Sequence, residues 1–147
     1  MKKFRFLAVL FLVGTAVQGC QQETNESMSD NVYWVLEVAI KAGEFDNFKE
    51  LMGEMVEATQ ANEANTLNYE WTISEDGQSC HIYERYADSA ATMAHLGAFG
   101  EKFAGRFMAA VEPTRFVVYG NPNSEVKEAL SGFGPVFMAP FGGFARR

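Results

Sequence analysis

The chain has 147 residues, which suggests one domain, and 48% of them are hydrophobic, enough to build a packed core. Acidic residues outnumber basic ones by 19 to 12, which gives a formal net charge of −7. Nucleic-acid binding rewards clustered Lys and Arg, and the sequence has no basic stripe with interleaved aromatic residues. Composition and charge therefore argue against a nucleic-acid partner.

Residues 1–19 have the pattern of a signal peptide. Basic residues lie within the first five positions, and an apolar run at 6–13 follows that is too short to span a bilayer. The sequence VQGC at 17–20 then resembles the lipobox of bacterial lipoproteins. That resemblance implies cleavage before Cys20 and acylation of its thiol. An ordinary cleaved signal, with Cys20 incidental, is the alternative.

A lipid anchor at Cys20 would place the protein in the cell envelope. Gln21, rather than Asp, follows the cysteine, and by resemblance to the sorting pattern of Gram-negative lipoproteins this favours the outer membrane, with the protein facing the periplasm. Residues 20–31 are polar and without periodicity, which indicates a flexible tether. Only Cys80 would then remain, so we expect a buried structural thiol and no intramolecular disulfide.

The first strand and the first helix follow the tether. Residues 32–40 (VYWVLEVAI) form an almost continuous apolar run, which predicts a strand covered on both faces. Glu37 is its one charge, so we expect this residue near an interface or in a site. Gly43 ends the run. Apolar residues then recur at steps of three and four from Glu44 to Asn62, which predicts a helix.

A hairpin and a second helix come next. Residues 69–73 alternate between apolar and polar, and so do residues 80–86, as half-buried strands do. Asp76-Gly77 between them is a strong hairpin signal, because glycine supplies the positive φ of a tight turn. Asp88 or Ser89 is expected to cap the helix that carries His95.

The remaining segments are a helical piece, a strand, a short helix and a tail. Gly97 and Gly100 are expected to interrupt the second helix, and Pro113 to end the piece after it. Residues 114–119 (TRFVVY) predict a fourth strand, and residues 124–130 a short amphipathic helix. The glycine- and proline-rich tail carries too many Phe and Met residues to stay free, so we expect it to dock on its own subunit or across a dimer.

The order β-α-β-β-α-β over residues 32–120 predicts an α+β, ferredoxin-like domain. Its four-stranded antiparallel sheet would carry two helices on one face, and residues 121–147 would add a C-terminal helix and apolar arm. Because the first strand is apolar on both faces while helices cover only one, the other face needs a partner. A second copy of the chain is the simplest one, so the pattern favours a homodimer.

A resemblance to a known family is carried by HIYERYADSAATMAHL at 81–96, which follows a Tyr-Glu-Trp strand. The string resembles the antibiotic biosynthesis monooxygenase-like family, a branch of the dimeric α+β barrel proteins. Its members commonly have an aromatic-Glu-Arg-aromatic strand end, then Asp, then a helix with a His-Leu pair. The matching residues here are Tyr83, Glu84, Arg85, Tyr86, Asp88, His95 and Leu96. The resemblance implies a homodimeric barrel with an aromatic-lined cleft between sheet and helices in each subunit.

The resemblance also implies a chemistry, since characterised relatives oxidise polycyclic phenols or quinols with O₂ and need neither flavin nor metal. Others in the superfamily degrade haem or only bind ligands. Many relatives have a second histidine where Phe99 and Gly100 stand here, so no metal or haem site is expected. Cofactor-free oxygenation needs a base that takes a phenolic proton and an apolar cavity that excludes water.

The candidate residues follow from that requirement, each with a plainer alternative. We assign catalysis to His95, with Glu84 orienting it or acting itself, and substrate contact to Tyr69, Trp71, Tyr86 and Phe103. Alternatively, His95 is a satisfied buried residue, Glu84 pairs with Arg115, and the aromatic side chains belong to the core or a dimer interface.

Three functions remain open at this stage. The first is a cofactor-independent monooxygenase of a phenol or quinol. The second is a non-catalytic small-molecule-binding lipoprotein that uses the same cleft. The third is a structural lipoprotein with a vestigial site, which a cleft filled by Phe137, Met138 or Phe141 would favour.

Overall fold

A computed structural model describes residues 30–143, so the signal peptide and the lipid anchor predicted at Cys20 lie outside the described residues. Within that range no helix is both long and apolar enough to cross a bilayer. The elements in chain order are β1 (Val32–Ile40), α1 (Phe45–Asn62), β2 (Thr66–Ile73), β3 (Ser79–Tyr86), α2 (Ser89–Lys102), α3 (Ala104–Ala110), β4 (Val111–Gly120), α4 (Ser124–Leu130), a 3₁₀ turn (Ser131–Phe133) and β5 (Val136–Met138).

The sheet has the strand order β2-β3-β1-β4-β5. The first four strands pair antiparallel, in the order that a ferredoxin-like fold requires. The prediction of four antiparallel strands is nevertheless wrong for the whole sheet, because β5 adds a fifth strand parallel to β4, with Val117 opposite Val136. A free strand edge offers unpaired backbone groups, and the C-terminal arm satisfies part of the β4 edge.

Two predicted boundaries are also wrong. Helix α2 runs through Gly97 and Gly100 to Lys102, because an isolated glycine lowers helix stability by only about 1 kcal/mol and packing offsets that loss. Strand β4 begins at Val111 and contains Pro113, which sits where the register with β1 shifts. A proline is tolerated in a strand at such a bulge, because no ladder hydrogen bond is lost there.

The helix-facing side of the sheet carries two apolar clusters. The cluster under α1 and α3 contains Val38, Phe48, Leu51, Met55, Cys80, Ile82, Phe107, Ala110 and Val111. The cluster under α2 and α4 contains Val32, Trp34, Tyr86, Phe116, Val118, Val126 and Leu130. Helix α4 therefore packs into the second cluster although it follows the predicted domain boundary at residue 120.

The opposite side of the sheet, here called the open face, carries Tyr33, Val35 and Glu37 on β1. The rings of Tyr33 and Tyr119 stack at 5.2 Å, and Arg115 donates to Glu37 at 3.0 Å. The negative charge of Glu37 is therefore paired with the guanidinium of Arg115 on the neighbouring strand. The half-buried state of Tyr33 and Val35 is consistent with a partner on this face, and the homodimer stays a prediction.

Gly120 is expected to be the glycine least tolerant of substitution. Its φ is +88°, and a Cβ atom there would lie 2.1 Å from the carbonyl oxygen of Asn31. We expect Gly120→Ala to lower the free energy of unfolding by at least about 1–3 kcal/mol. Gly53→Ala, in α1 with open space around it, should raise stability by up to about 1 kcal/mol. Urea denaturation measures both, and equal effects would contradict the close approach of Gly120.

Candidate functional site

A cavity of about 390 Å³ lies between the helix-facing side of the sheet and helices α2, α3 and α4. This is within the range of pockets that hold small organic ligands. Its walls are mainly apolar and aromatic, and no Lys or Arg is among the residues that line it. Its aromatic wall residues are Trp34, Tyr69, Trp71, Phe99, Phe107, Phe116 and Phe133, and its two ionisable wall residues other than tyrosine are Glu84 and His95.

The mouth of the cavity is marked by wall residues that are also exposed to solvent. These are Gly97, Gly100, Met108, Ala129 and Phe133. In contrast, the apolar side chains of the arm beyond the 3₁₀ turn, Phe137, Met138 and Phe141, are exposed and line no part of the cavity. Among the described residues, the arm beyond the 3₁₀ turn therefore does not fill the cavity, which removes the observation that would have favoured a vestigial site.

His95 is held between two carboxylates at one wall of the cavity. The Asp88 side chain accepts a hydrogen bond from the Ala91 amide at 2.8 Å and so fixes the start of α2, which places His95 about two turns into the helix. The Nδ1 atom of His95 lies 2.8 Å from Oε2 of Glu63, and its Nε2 atom lies 3.1 Å from Oε2 of Glu84. His95 itself is only 5% exposed.

Glu84 projects from β3 toward the helices and is also buried. Its Oε2 atom accepts hydrogen bonds from the Tyr86 hydroxyl and from His95. Both contacts end on the same oxygen, and the residue as a whole lines the cavity. The predicted pairing of Glu84 with Arg115 is wrong, because alternation along the strands puts Arg115 on the open face, where it binds Glu37.

The two carboxylates determine the charge of His95. Burial alone lowers the pKa of His95, but its hydrogen bonds to Glu63 and Glu84 and their negative charges outweigh burial and raise the pKa to about 9. Burial alone raises the pKa of Glu63, but the hydrogen bond and charge of His95 bring it below its usual value. At neutral pH the site is therefore an imidazolium cation between two carboxylates.

The two tyrosines beside His95 stay neutral. Burial, reinforced by the charge of Glu84, raises the pKa values of Tyr69 and Tyr86 well above the ordinary value. Their rings pack on the imidazole with centroids 5.4 and 5.2 Å away. Since both nitrogens of His95 are engaged, the ring has no free lone pair with which to act as a base.

This arrangement predicts that stability depends on pH. The His95 pKa is raised from 6.5 to about 9 in the folded chain, so its contribution is fully present below pH 6.5 and is lost as pH rises through about 9. We expect a fall of about 3 kcal/mol in the free energy of unfolding over that interval. Urea denaturation at several pH values measures it. A His95→Gln variant should lack this fall, and an equal fall in both proteins would contradict the assignment.

The predicted site residues divide into three groups in the structure. His95, Glu84, Tyr69 and Trp71 line the cavity together. Tyr86 lies behind Glu84 as its hydrogen-bond donor and is not a wall residue. Phe103 also does not line the cavity and instead packs against the cluster under α1 and α3.

Sequence reasoning missed Glu63 and part of the cavity wall. Glu63 is the residue that ends α1, and nothing in the local pattern connects it with a histidine 32 positions later. Trp34 and Phe116 look like core residues in the sequence, and the wall residues Leu130 and Phe133 lie beyond the predicted domain. A glutamate at the negative end of a helix was the one available signal, since acidic residues are disfavoured there.

The other chemistry-bearing residues lie apart from this site. His81 is exposed on the open face, as strand alternation predicts, and Cys80 is buried, which raises the pKa of its thiol to about 11. Among residues 30–143 no group of three or more His, Cys, Asp or Glu side chains is placed to hold a metal ion.

Comparison with known proteins identifies the family. The family described as antibiotic biosynthesis monooxygenase matches residues 31–111, more than half of the chain. The chain belongs to the antibiotic biosynthesis monooxygenase family. No curated protein matches the sequence.

Solved structures support the same fold. MupZ from Pseudomonas fluorescens is similar with a TM-score of 0.71 and 21% identity, over 80% of this chain and 95% of that one. SnoaB, a cofactor-independent oxygenase from Streptomyces nogalater, is similar with a TM-score of 0.54 and 15% identity, over 65% and 96%. Rv0793 from Mycobacterium tuberculosis gives 0.55 and 18%, over 64% and 97%. At these identities the likeness shows the fold alone.

Proposed function

We propose that this protein is a cofactor-independent monooxygenase that oxidises a phenol or quinol with O₂. The observation that carries the proposal is Glu84, a buried carboxylate on the wall of an aromatic cavity, where Tyr86 and His95 hold one of its two oxygens. A cavity without Lys or Arg suits a neutral aromatic ligand that donates a hydrogen bond better than it suits an anion. SnoaB shows that this fold can carry a cofactor-independent oxygenase.

The chemistry begins with a proton transfer. The phenolic O–H bond breaks, the proton goes to the carboxylate of Glu84, and the phenolate remains in the cavity. The phenolate passes one electron to O₂, which gives a phenoxyl radical and superoxide. These combine at a ring carbon that carries hydrogen, and Glu84 returns its proton to the peroxide anion so formed, which gives a hydroperoxide. The hydroperoxide then loses water, taking the hydrogen of that ring carbon, and leaves a quinone. One oxygen atom of O₂ enters the product and the other leaves as water, while the apolar walls keep solvent from the radical pair.

This mechanism changes the role that the sequence suggested for His95. Because both of its nitrogens already bind carboxylates, His95 does not take the substrate proton in this proposal. Its positive charge instead stabilises the negative charge that develops on the phenolate and on reduced oxygen. Glu84, which the sequence suggested as the group that orients His95 or acts itself, is the base in this proposal.

Assembly and location complete the proposal. Family members commonly form dimers, and we place the second subunit against the open face, where Tyr33 and Tyr119 stack. The lipobox-like sequence supports an anchor at Cys20 that would hold the domain at the periplasmic side of the outer membrane.

Oxygen uptake with a panel of quinols and polycyclic phenols tests the function. We expect uptake above the rate of spontaneous oxidation for the wild type and for Leu67→Trp, which enlarges a half-exposed residue outside the cavity wall. Leu36→Trp places the same bulk on the cavity wall and should abolish the excess uptake. If quinols bind but uptake never exceeds that of Leu36→Trp, the protein is a binding module rather than an enzyme.

A further inference from the structure

The two carboxylates that hold His95 occupy different environments. Glu84 lines the cavity, whereas Glu63 does not line it and lies at the end of α1, with 14% of its side chain exposed. Glu63 also accepts a hydrogen bond from the Thr66 hydroxyl at 2.8 Å, and the positive charge of Lys102 is near enough to favour its ionised form. Only Glu84 can therefore exchange a proton with a ligand in the cavity.

The position of Glu63 is unfavourable for the helix itself. The C-terminal end of a helix carries a partial negative charge, and the last turn of α1 contains no basic residue to offset it. An acidic side chain there reduces helix stability unless another group compensates it. The imidazolium of His95, 2.8 Å away on a different helix, is that group. The contact thus joins the end of α1 to the site.

The difference between the two carboxylates matters once Glu84 takes a proton. Glu84 then loses its negative charge, and His95 loses one of its two counterions just as negative charge appears on the ligand. The groups that face the His95 ring are Glu63 from the end of α1, Glu84 and Tyr86 from β3, Tyr69 from β2 and Trp34 from β1. Among them only Glu63 remains an anion at that step.

We propose that Glu63 is a positioning residue that keeps His95 protonated and fixed in orientation while Glu84 is neutral. A cation is thereby retained at the cavity wall when the phenolate and reduced oxygen form. A fixed positive charge accelerates such a reaction because it stabilises the negative charge that develops beside it. The role of Glu63 in turnover rests on the proposed function. Its effect on a bound phenol does not, because the charge of His95 acts on any phenol in the cavity.

The first test reads His95 directly. The chain has two histidines, so imidazole NMR resolves His95 and the exposed His81, with His81→Gln assigning the signals. In Glu63→Gln we expect the His95 titration midpoint to fall by at least about one pH unit, with the His81 signal unmoved. In Glu63→Asp, which keeps a carboxylate, the His95 midpoint should lie between those of Glu63→Gln and the wild type. Glu57→Gln, an exposed residue of the same helix, is the matched control and should leave the midpoint unchanged. An unchanged midpoint in Glu63→Gln would overturn the proposal.

The second test measures the ionisation of a phenol bound in the cavity. The probe is 4-nitrophenol, whose colour reports its ionisation without any turnover. We expect the bound probe to ionise at higher pH in Glu63→Gln than in the wild type or Glu57→Gln, because a phenolate loses its neighbouring cation. With an oxidisable quinol, the alkaline limb of the kcat/KM profile should move to lower pH in the same variant. If the His95 midpoint falls while probe ionisation stays unchanged, Glu63 is merely structural and the proposal fails. Absence of oxygen uptake in the wild type would refute the oxygenase function, while the probe would still decide the role of Glu63.

Discussion

Replacing His95 by alanine is expected to lower the free energy of unfolding by about 3 to 5 kcal/mol at pH 7, because it leaves buried Glu84 without its cationic partner. Glu63 also loses its cationic partner, although its partial exposure to solvent reduces the cost of the unpaired charge. Urea denaturation measures the change. It should exceed the effect of most single substitutions.

A second substitution shows whether the destabilisation comes from an unpaired buried carboxylate or from lost packing. His95→Ala combined with Glu84→Gln removes the unpaired carboxylate while keeping its shape, so stability should recover partly relative to His95→Ala alone. His81→Ala, at the exposed histidine, should change stability by no more than about 0.5 kcal/mol. If the double variant is less stable than the wild type by the sum of the effects of His95→Ala and Glu84→Gln, the two residues are not coupled.

Replacing Glu84 by glutamine is expected to reduce kcat about 10²- to 10⁴-fold, the usual contribution of a general base. Glutamine preserves the volume of the side chain but cannot take a proton from a phenol. Because the cavity keeps its shape, KM should change little, and kcat/KM should fall with kcat. Steady-state oxygen uptake with the best quinol of the panel measures both constants.

Two comparisons make this result specific. Glu70→Gln, at an exposed position on β2, should retain wild-type turnover. Tyr86→Phe removes the hydroxyl that holds Oε2 of Glu84 and should lower kcat less than Glu84→Gln does, because the base remains. Wild-type turnover in Glu84→Gln would show that another group takes the proton, even if the protein is an oxygenase.

Much of the fold could be predicted because it depends on local patterns. The apolar run of β1, the alternation in β2 and β3, the Asp76-Gly77 turn and the Asp88 cap each report on a few neighbouring residues. Strand β5 could not be predicted in the same way. It has three residues, and it exists because β4 offers an edge, which is a property of the assembled sheet.

The site could be predicted only in part, for a related reason. His95 and Glu84 belong to the motif at residues 81–96, so they were found together with the fold. Glu63 comes near them only because α1 ends where α2 packs, a long-range arrangement that no local pattern encodes. The cavity is likewise a result of packing, since side chains such as Trp34 and Phe116 look the same in sequence whether they close a core or border a space.

The central claim, that the space beside Glu84 is where a quinol binds, is tested most directly by fluorescence. Both tryptophans of the chain, Trp34 and Trp71, line the cavity, so the intrinsic emission of the protein reports on its contents. Titration with 1,4-naphthohydroquinone under anaerobic conditions separates binding from oxidation. We predict saturable quenching with one ligand per chain, displaced by a non-oxidisable aromatic analogue. Quenching that rises linearly with concentration and never saturates would contradict the account.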